Sequence, residues 1–172
     1  MAGAMVVDRN GYRLNVGIIL VSEQKHVFWG RRVGHDTWQF PQGGVDEHES
    51  AENAMYRELY EEVGLSPTDV EIIGVTSKWY RYRLPQQYLR SGNGRDPRVI
   101  GQKQKWFLIR LTSPEQKIHL DLTESPEFDS WRWVDYWLPP KDVIYFKRKV
   151  YRLALKELES FLFPEKDERE EC

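Results

Sequence analysis

The sequence predicts an α/β/α sandwich, a mixed sheet held between helices. Three observations predict it. Tyr12 to Val21 (YRLNVGIILV) ends in a continuous apolar run, as a strand buried on both faces does. Shorter strand-like stretches, some of them strictly alternating, recur along the chain. Two stretches of helical period, Ala51 to Val63 and Lys147 to Phe163, carry apolar stripes that each need a surface to cover them.

At 172 residues, with 40% hydrophobic and 13% aromatic content, the chain suits one domain with an adequate core. That domain is expected over residues 11–163, with 1–10 as a flexible leader and 164–172 as a disordered acidic tail. Met1 to Ala4 look like a leader before a natural start at Met5. The single cysteine, Cys172, excludes a disulfide framework and offers no zinc cluster, so a cytoplasmic protein is expected. No apolar run approaches the roughly 18 residues of a membrane span, and no secretion signal is evident. The net charge of −2 argues against a protein that coats nucleic acid through a broad basic field. The average is skewed by Glu165 to Glu171, which carries −3 and leaves the remainder at +1.

Taken in order, Val27 to Arg32 (VFWGRR) is a second strand, joined to the first as a hairpin by a turn around Glu23 to Lys25. It delivers Arg31 and Arg32 together at its end. Trp38-Gln39-Phe40-Pro41 is a short extended piece leading into Gly43-Gly44, where the backbone can approach a ligand closely. The helix Ala51 to Val63 follows, N-capped by Ser50 and stopped by Gly64. Glu71 to Val75 and Lys78 to Leu84 are strands, and the second sets Trp79, Arg81 and Arg83 on a basic face. Pro85 to Arg98, with Arg90, Arg95 and Arg98, reads as a mobile loop able to close on a polyanion or as an exposed insertion. Gln102 to Leu111 is a strand with Lys103 and Lys105 on one face and Gln102 and Gln104 on the other; either pair could line a cleft. Pro126 to Val134 is the last strand. Pro140 to Phe146 is a short helix, and Lys147 to Phe163 a long one with Val150, Leu153, Ala154, Glu157, Leu158 and Phe161 roughly in phase.

The chemistry is concentrated in Gly43 to Leu65 (GGVDEHESAENAMYRELYEEVGL). On a helical wheel Ala51, Met55, Leu59 and Val63 form the stripe that must face a core. Glu62 falls inside the arc of that stripe, Glu58 on its border and Glu61 just beyond. Three carboxylates crowded beside an apolar face repel one another and lose hydration, which costs several kcal/mol unless cations neutralise them. A hard divalent ion held through oxygen would do so. The competing reading is a solvated acidic face in which Arg57 and Glu61 form an ordinary ion pair.

The spacing of Gly43, Glu49, Arg57-Glu58-Leu59, Glu61-Glu62 and Gly64-Leu65 matches G-x5-E-x7-R-E-U-x-E-E-x-G-U, with U apolar, at every defined position. This resembles the box of the Nudix hydrolases, and so implies a Nudix-type α/β/α sandwich that hydrolyses a nucleoside diphosphate linked to another group with Mg2+ or Mn2+. The resemblance implies that Glu58, Glu61 and Glu62 hold the metals, that Gly43 adds a carbonyl, and that Glu49 and Arg57 brace the loop against the helix.

Several further stretches resemble one branch, the bacterial RNA pyrophosphohydrolases: Gly11 to Gly17, Trp38 to Gly44, Gly101 to Phe107, Pro126-Glu127-Phe128-Asp129 with Trp131-Arg132-Trp133, and Phe146-Lys147-Arg148. That branch removes pyrophosphate from the 5′-triphosphate or diphosphate end of messenger RNA and so starts decay. A 5′-polyphosphate needs cations, for which Arg13, Arg32, Lys105 and Lys147 are candidates. Single-stranded bases need stacking surfaces, and Tyr82 and Phe146 are candidates against the competing role of core packing. Glu127 is a surface glutamate or a fourth member of the site, since carboxylates bound to cations are poor bases. By resemblance it lies near the metals, as ligand or as base. Alternative readings are a dinucleoside polyphosphate hydrolase, acting for example on diadenosine tetraphosphate or pentaphosphate, and a non-catalytic RNA-binding module. Relatives in some bacteria are stimulated by a diaminopimelate epimerase partner.

Overall fold

The computed structural model describes residues 3–90 and 98–164, with Arg90 described by its backbone alone. The expectations for Arg95, for the tail and for Cys172 lie outside these residues. In chain order the elements are β1 (Tyr12–Val21), β2 (Val27–Arg32), β3 (Trp38–Gln39), β4 (Gln42–Gly44), α1 (Ala51–Val63), β5 (Val70–Val75) and β6 (Tyr80–Arg83). Then come α2 (Gln86–Arg90), β7 (Gly101–Leu111), β8 (Phe128–Val134), α3 (Pro139–Asp142) and α4 (Arg148–Leu162).

Among the described residues the strands form one mixed sheet of eight, with the path β3-β2-β1-β7-β5; β4 joins β1, β6 joins β7 and β8 joins β2. β1 lies parallel to β7 from Tyr12↔Gly101 to Val21↔Arg110 in the middle of the sheet, where helices on both sides bury its two faces, which explains its unbroken apolar run. Helices cover the two sheet faces. On one, Val16, Ile18 and Leu20 meet Met55, Leu59 and Val63 of α1. On the other, Ile19, Val21, Trp106 and Leu108 meet Tyr151, Ala154, Leu155 and Leu158 of α4. The predicted sandwich is therefore the observed one.

Four local expectations differ. β1 and β2 are not a continuous hairpin: they share only Val21↔Val27, after which β2 pairs along its length with β8. The gap beside the first half of β1 is taken by β4, through Asn15↔Gly44, Val16↔Gly43 and Gly17↔Gln42. In α4, Leu153 and Phe161 are exposed, and the core takes Tyr151, Leu155 and Leu162 instead. The apolar stripe there is wide, and its phase is set by which residues meet Trp106 and Leu108. The stretch Pro140 to Phe146 is interrupted because Val143 and Ile144 have extended ψ values of 155° and 139°, so α3 stops and a 3-10 turn, Tyr145–Lys147, leads into α4. Finally, Gln86–Arg90 after Pro85 is helical rather than loop.

The segment before β1 also pairs. Met5 bridges to Asp46 and Val7 to Arg13, and the Glu47 N–H donates to the Ala4 carbonyl at 2.8 Å. The contacts of Ala4 and Met5 tie it to the loop that precedes α1, and that of Val7 to β1.

Candidate active site

The parting of β1 from β2 opens a cavity of about 570 Å³ on the α4 side of the sheet. Its basic lining is Arg13 from β1, Arg32 from the end of β2 and Lys147 from the turn before α4. Its acidic lining is Glu62 from α1 and Glu127 from the loop before β8. Tyr82 and Phe146, with ring centroids 5.9 Å apart, form an aromatic wall that Tyr88 extends at 5.2 Å from Phe146.

The acidic side is built by α1. Ser50 caps it, its Oγ accepting from the Asn53 N–H at 3.1 Å, and Gly64 closes it in the left-handed conformation (φ 78°). Arg57 then locks the preceding loop to the helix: its Nε and Nη2 donate to Glu49 at 2.9 Å each, and Nη2 also donates to the Gly44 carbonyl at 2.7 Å. That guanidinium holds the Glu49 carboxyl below the ordinary carboxylate value. These bonds tie the loop at Gly44 and Glu49 to α1.

Arg57 also donates to Glu58 Oε1 at 2.7 Å and lies 3.6 Å from Glu61. Burial nonetheless raises the Glu58 carboxyl to about 7. Glu62 is buried, and it accepts from the Gln42 N–H at 3.3 Å. Burial drives its carboxyl well above the usual range, and Glu58 and Glu127 push the same way. A Cβ at position 43 would overlap the Glu58 carboxyl, so the Gly43 backbone passes flush against a carboxylate.

Among the described residues no three His, Cys, Asp or Glu side chains already converge on one point. Glu58 and Glu61 turn to Arg57, while Glu127 accepts from Arg32 Nε at 3.3 Å and Gln39 Nε2 at 3.4 Å. The residues fit a divalent cation all the same. Four mutually repelling carboxylates, one buried against its own charge, form an oxygen donor set that a hard cation stabilises.

The basic side is less exposed than surface cations usually are. Lys147 is 7% exposed, and its Nζ donates to Gln39 Oε1 at 3.0 Å and Gln42 Oε1 at 3.3 Å. Burial lowers its ammonium to about 8. Arg13 packs its guanidinium against Gly44, and its buried Nε has no hydrogen-bond partner. Tyr82 is buried, which raises its hydroxyl to about 12, and it presents its ring to Phe146 rather than lying open at the surface.

Lys105 is not brought to this cavity. Strand alternation sends it to the opposite face of β7, where its Nζ lies 5.8 Å from the Trp79 ring, and the cavity side of β7 carries Gln102 and Gln104. Glu58 lies behind Gly43 and Glu61 turns to Arg57, both outside the lining. Gln39 and Gln42 escape the sequence reading altogether. Their signal is the pair of amides in Trp-Gln-Phe-Pro-Gln, spaced by three, which is informative only once Lys147 is known to sit between them.

A model of the NUDIX domain matches residues 11–154. An RNA pyrophosphohydrolase of Legionella pneumophila (strain Paris) is 64% identical over 162 residues, covering 94% of this chain and 91% of that protein. One from Alkalilimnicola ehrlichii is 54% identical over 160 residues, covering 93% and 87%. Among solved structures, the E. coli dihydroneopterin triphosphate pyrophosphohydrolase superposes with a TM-score of 0.64 at 20% identity, over 88% of this chain and 98% of that one. A C. elegans Ap4A hydrolase gives 0.60 at 18%, over 87% and 97%. At that identity the two structures speak for the fold alone.

Proposed function

The chain belongs to the NUDIX domain family and is a Nudix hydrolase, and from that premise we propose that it removes pyrophosphate, or phosphate, from the 5′-triphosphate or diphosphate end of messenger RNA. The product is a 5′-monophosphate end, which exposes the RNA to decay. The 64% identity to an RNA pyrophosphohydrolase supports this reading. The observation that carries it is the cavity itself, where Arg13, Arg32 and Lys147 face Glu62 and Glu127 beside an aromatic wall.

Arg13, Arg32 and Lys147 bind the polyphosphate, the arginines by paired N–H groups that match phosphate oxygens. Phe146, backed by the buried Tyr82 ring, offers ring surface to the first bases. Glu58, Glu61, Glu62 and the Gly43 carbonyl would hold Mg2+, or Mn2+ in its place, which when bound neutralises phosphate charge and lowers the pKa of attacking water. Glu127 serves as a further ligand or as the base that takes the water's proton. It is 38% exposed and paired with Arg32, so a phosphate that takes Arg32 frees Glu127 for either task.

The test is hydrolysis of 5′-triphosphorylated RNA beside diadenosine tetraphosphate, with and without Mg2+. Release of pyrophosphate from RNA in preference to cleavage of the dinucleotide, lost on removal of the ion, is the expected result. Preference for the dinucleotide would move the chain to the dinucleoside polyphosphate hydrolases. An Arg13→Ala or Arg32→Ala protein should melt near wild type yet raise KM for RNA.

A further inference from the structure

A chain of buried amides under the cavity floor has no assigned role. Register places Asn15 beside Gln104 on parallel β1 and β7, and Gln42 enters from β4 on the same face. Gln104 is fully buried and Asn15 is 3% exposed. The Gln104 amino group donates to Asn15 Oδ1 at 2.9 Å and to Gln42 Oε1 at 3.4 Å. Both of its hydrogens are therefore committed. Gln42 Oε1 also accepts from Lys147 Nζ at 3.3 Å.

These bonds permit one orientation of the Gln42 amide. Turned over, its amino group would face the Gln104 amino group and the Lys147 ammonium, donors against donors. With its oxygen held inward, its nitrogen is the end left for the Tyr82 hydroxyl, which Gln42 also reaches.

We propose that Gln104, braced by Asn15, is a positioning residue that fixes the Gln42 carbonyl on the Lys147 ammonium and so aims that ammonium at substrate phosphate. A purely structural role fits the position poorly. Gln104 leaves its own Oε1 buried without a partner, as Trp106 does its indole N–H, but the Trp106 ring and Leu108 on the same face of β7 fill the core against α4, which Gln104 does not. An apolar side chain would fill the place without an orphaned acceptor. The inference rests on the reading of the cavity as a polyphosphate site.

The experiment is a double-mutant cycle between Gln104→Met and Lys147→Met, read as kcat and KM on 5′-triphosphorylated RNA. A parallel readout is the rise in melting temperature on adding inorganic tripolyphosphate with Mg2+, which requires no turnover. Gln104→Met alone should raise KM about fivefold, lower kcat less than about twofold and shrink the tripolyphosphate shift; in the Lys147→Met background it should add nothing. Asn15→Ala, which loosens Gln104 without removing it, should move KM the same way by about twofold and keeps the test open if Gln104→Met folds poorly. Losses that add in the two backgrounds, or a wild-type KM and tripolyphosphate shift in Gln104→Met, would overturn the proposal. A wild-type protein that ignores RNA but gains a tripolyphosphate shift would fail the RNA reading while the cycle on that shift still judges the relay.

Discussion

Glu62 and Glu58 hold their protons for a reason that can be tested without turnover. The folded Glu58 carboxyl releases its proton near pH 7, against an ordinary value of 4.5, and Glu62 is shifted in the same direction. Between those values the folded protein binds more protons than the unfolded chain, so stability is full below pH 4.5 and is lost as pH rises through 7. For Glu58 alone the loss is roughly 3 kcal/mol. Metal-free protein should therefore melt at a lower temperature at pH 8 than at pH 5, and Mg2+ should recover the difference at pH 8 while doing little at pH 5. Glu62→Gln should remove its own share of the pH dependence, leave that of Glu58, and lower turnover by about two orders of magnitude. A melting temperature indifferent to pH and to Mg2+ would count against the cation site. Lys147 titrates with the opposite consequence. Its ammonium, lowered to about 8, is charged below that pH and neutral above it, so KM for a polyphosphate should climb as pH passes 8, and Lys147→Met should abolish that climb.

At the scale of the element, α1 separates what stabilises the site from what operates it. Ser50→Ala removes the acceptor of the Asn53 N–H and should cost about 1 kcal/mol, read as a lower melting temperature with KM little changed. Gly43→Ala belongs to the other class. Its Cβ would enter the space of the Glu58 carboxyl, so turnover should fall even where the helix remains folded, measured by circular dichroism beside the rate. Equal effects of the two variants on rate would mean that α1 serves only as a support.

The whole molecule joins the site to the α4 layer that lies on the same side of the sheet. The Phe40 N–H donates to the Tyr151 hydroxyl at 3.1 Å, while Phe40 packs on Trp29, Trp106 and Tyr151. Phe40 sits between Gln39 and Gln42, so α4 holds in place the segment that grips Lys147. Tyr151→Phe leaves that N–H buried and unpaired, which should lower stability by about 1–3 kcal/mol. The same variant should raise KM while Gln39 and Gln42 are untouched in sequence. A lowered melting temperature with an unchanged KM would show that the core contact is structural only.

The sequence by itself determined the features that depend on near neighbours. The bounds of α1, its Ser50 and Gly64 caps and the burial of Glu62 all follow from helical period and end chemistry between Ser50 and Gly64. The Gly43 to Leu65 spacing was equally local, because loop, cap and acids lie on one continuous run. Tertiary structure alone decided which face of β7 meets the cavity, since Lys105 and Gln104 alternate along one strand and only pairing with β1 and covering by α4 distinguish the two sides. It also decided the parting of β1 from β2 and the phase of α4, where Leu153 and Phe161 yield to Tyr151, Leu155 and Leu162. The amide relay was beyond local reading for the same physical reason. Asn15, Gln42, Gln104 and Lys147 are meaningless apart, and their meeting depends on strand register and helix packing between segments up to 132 residues distant.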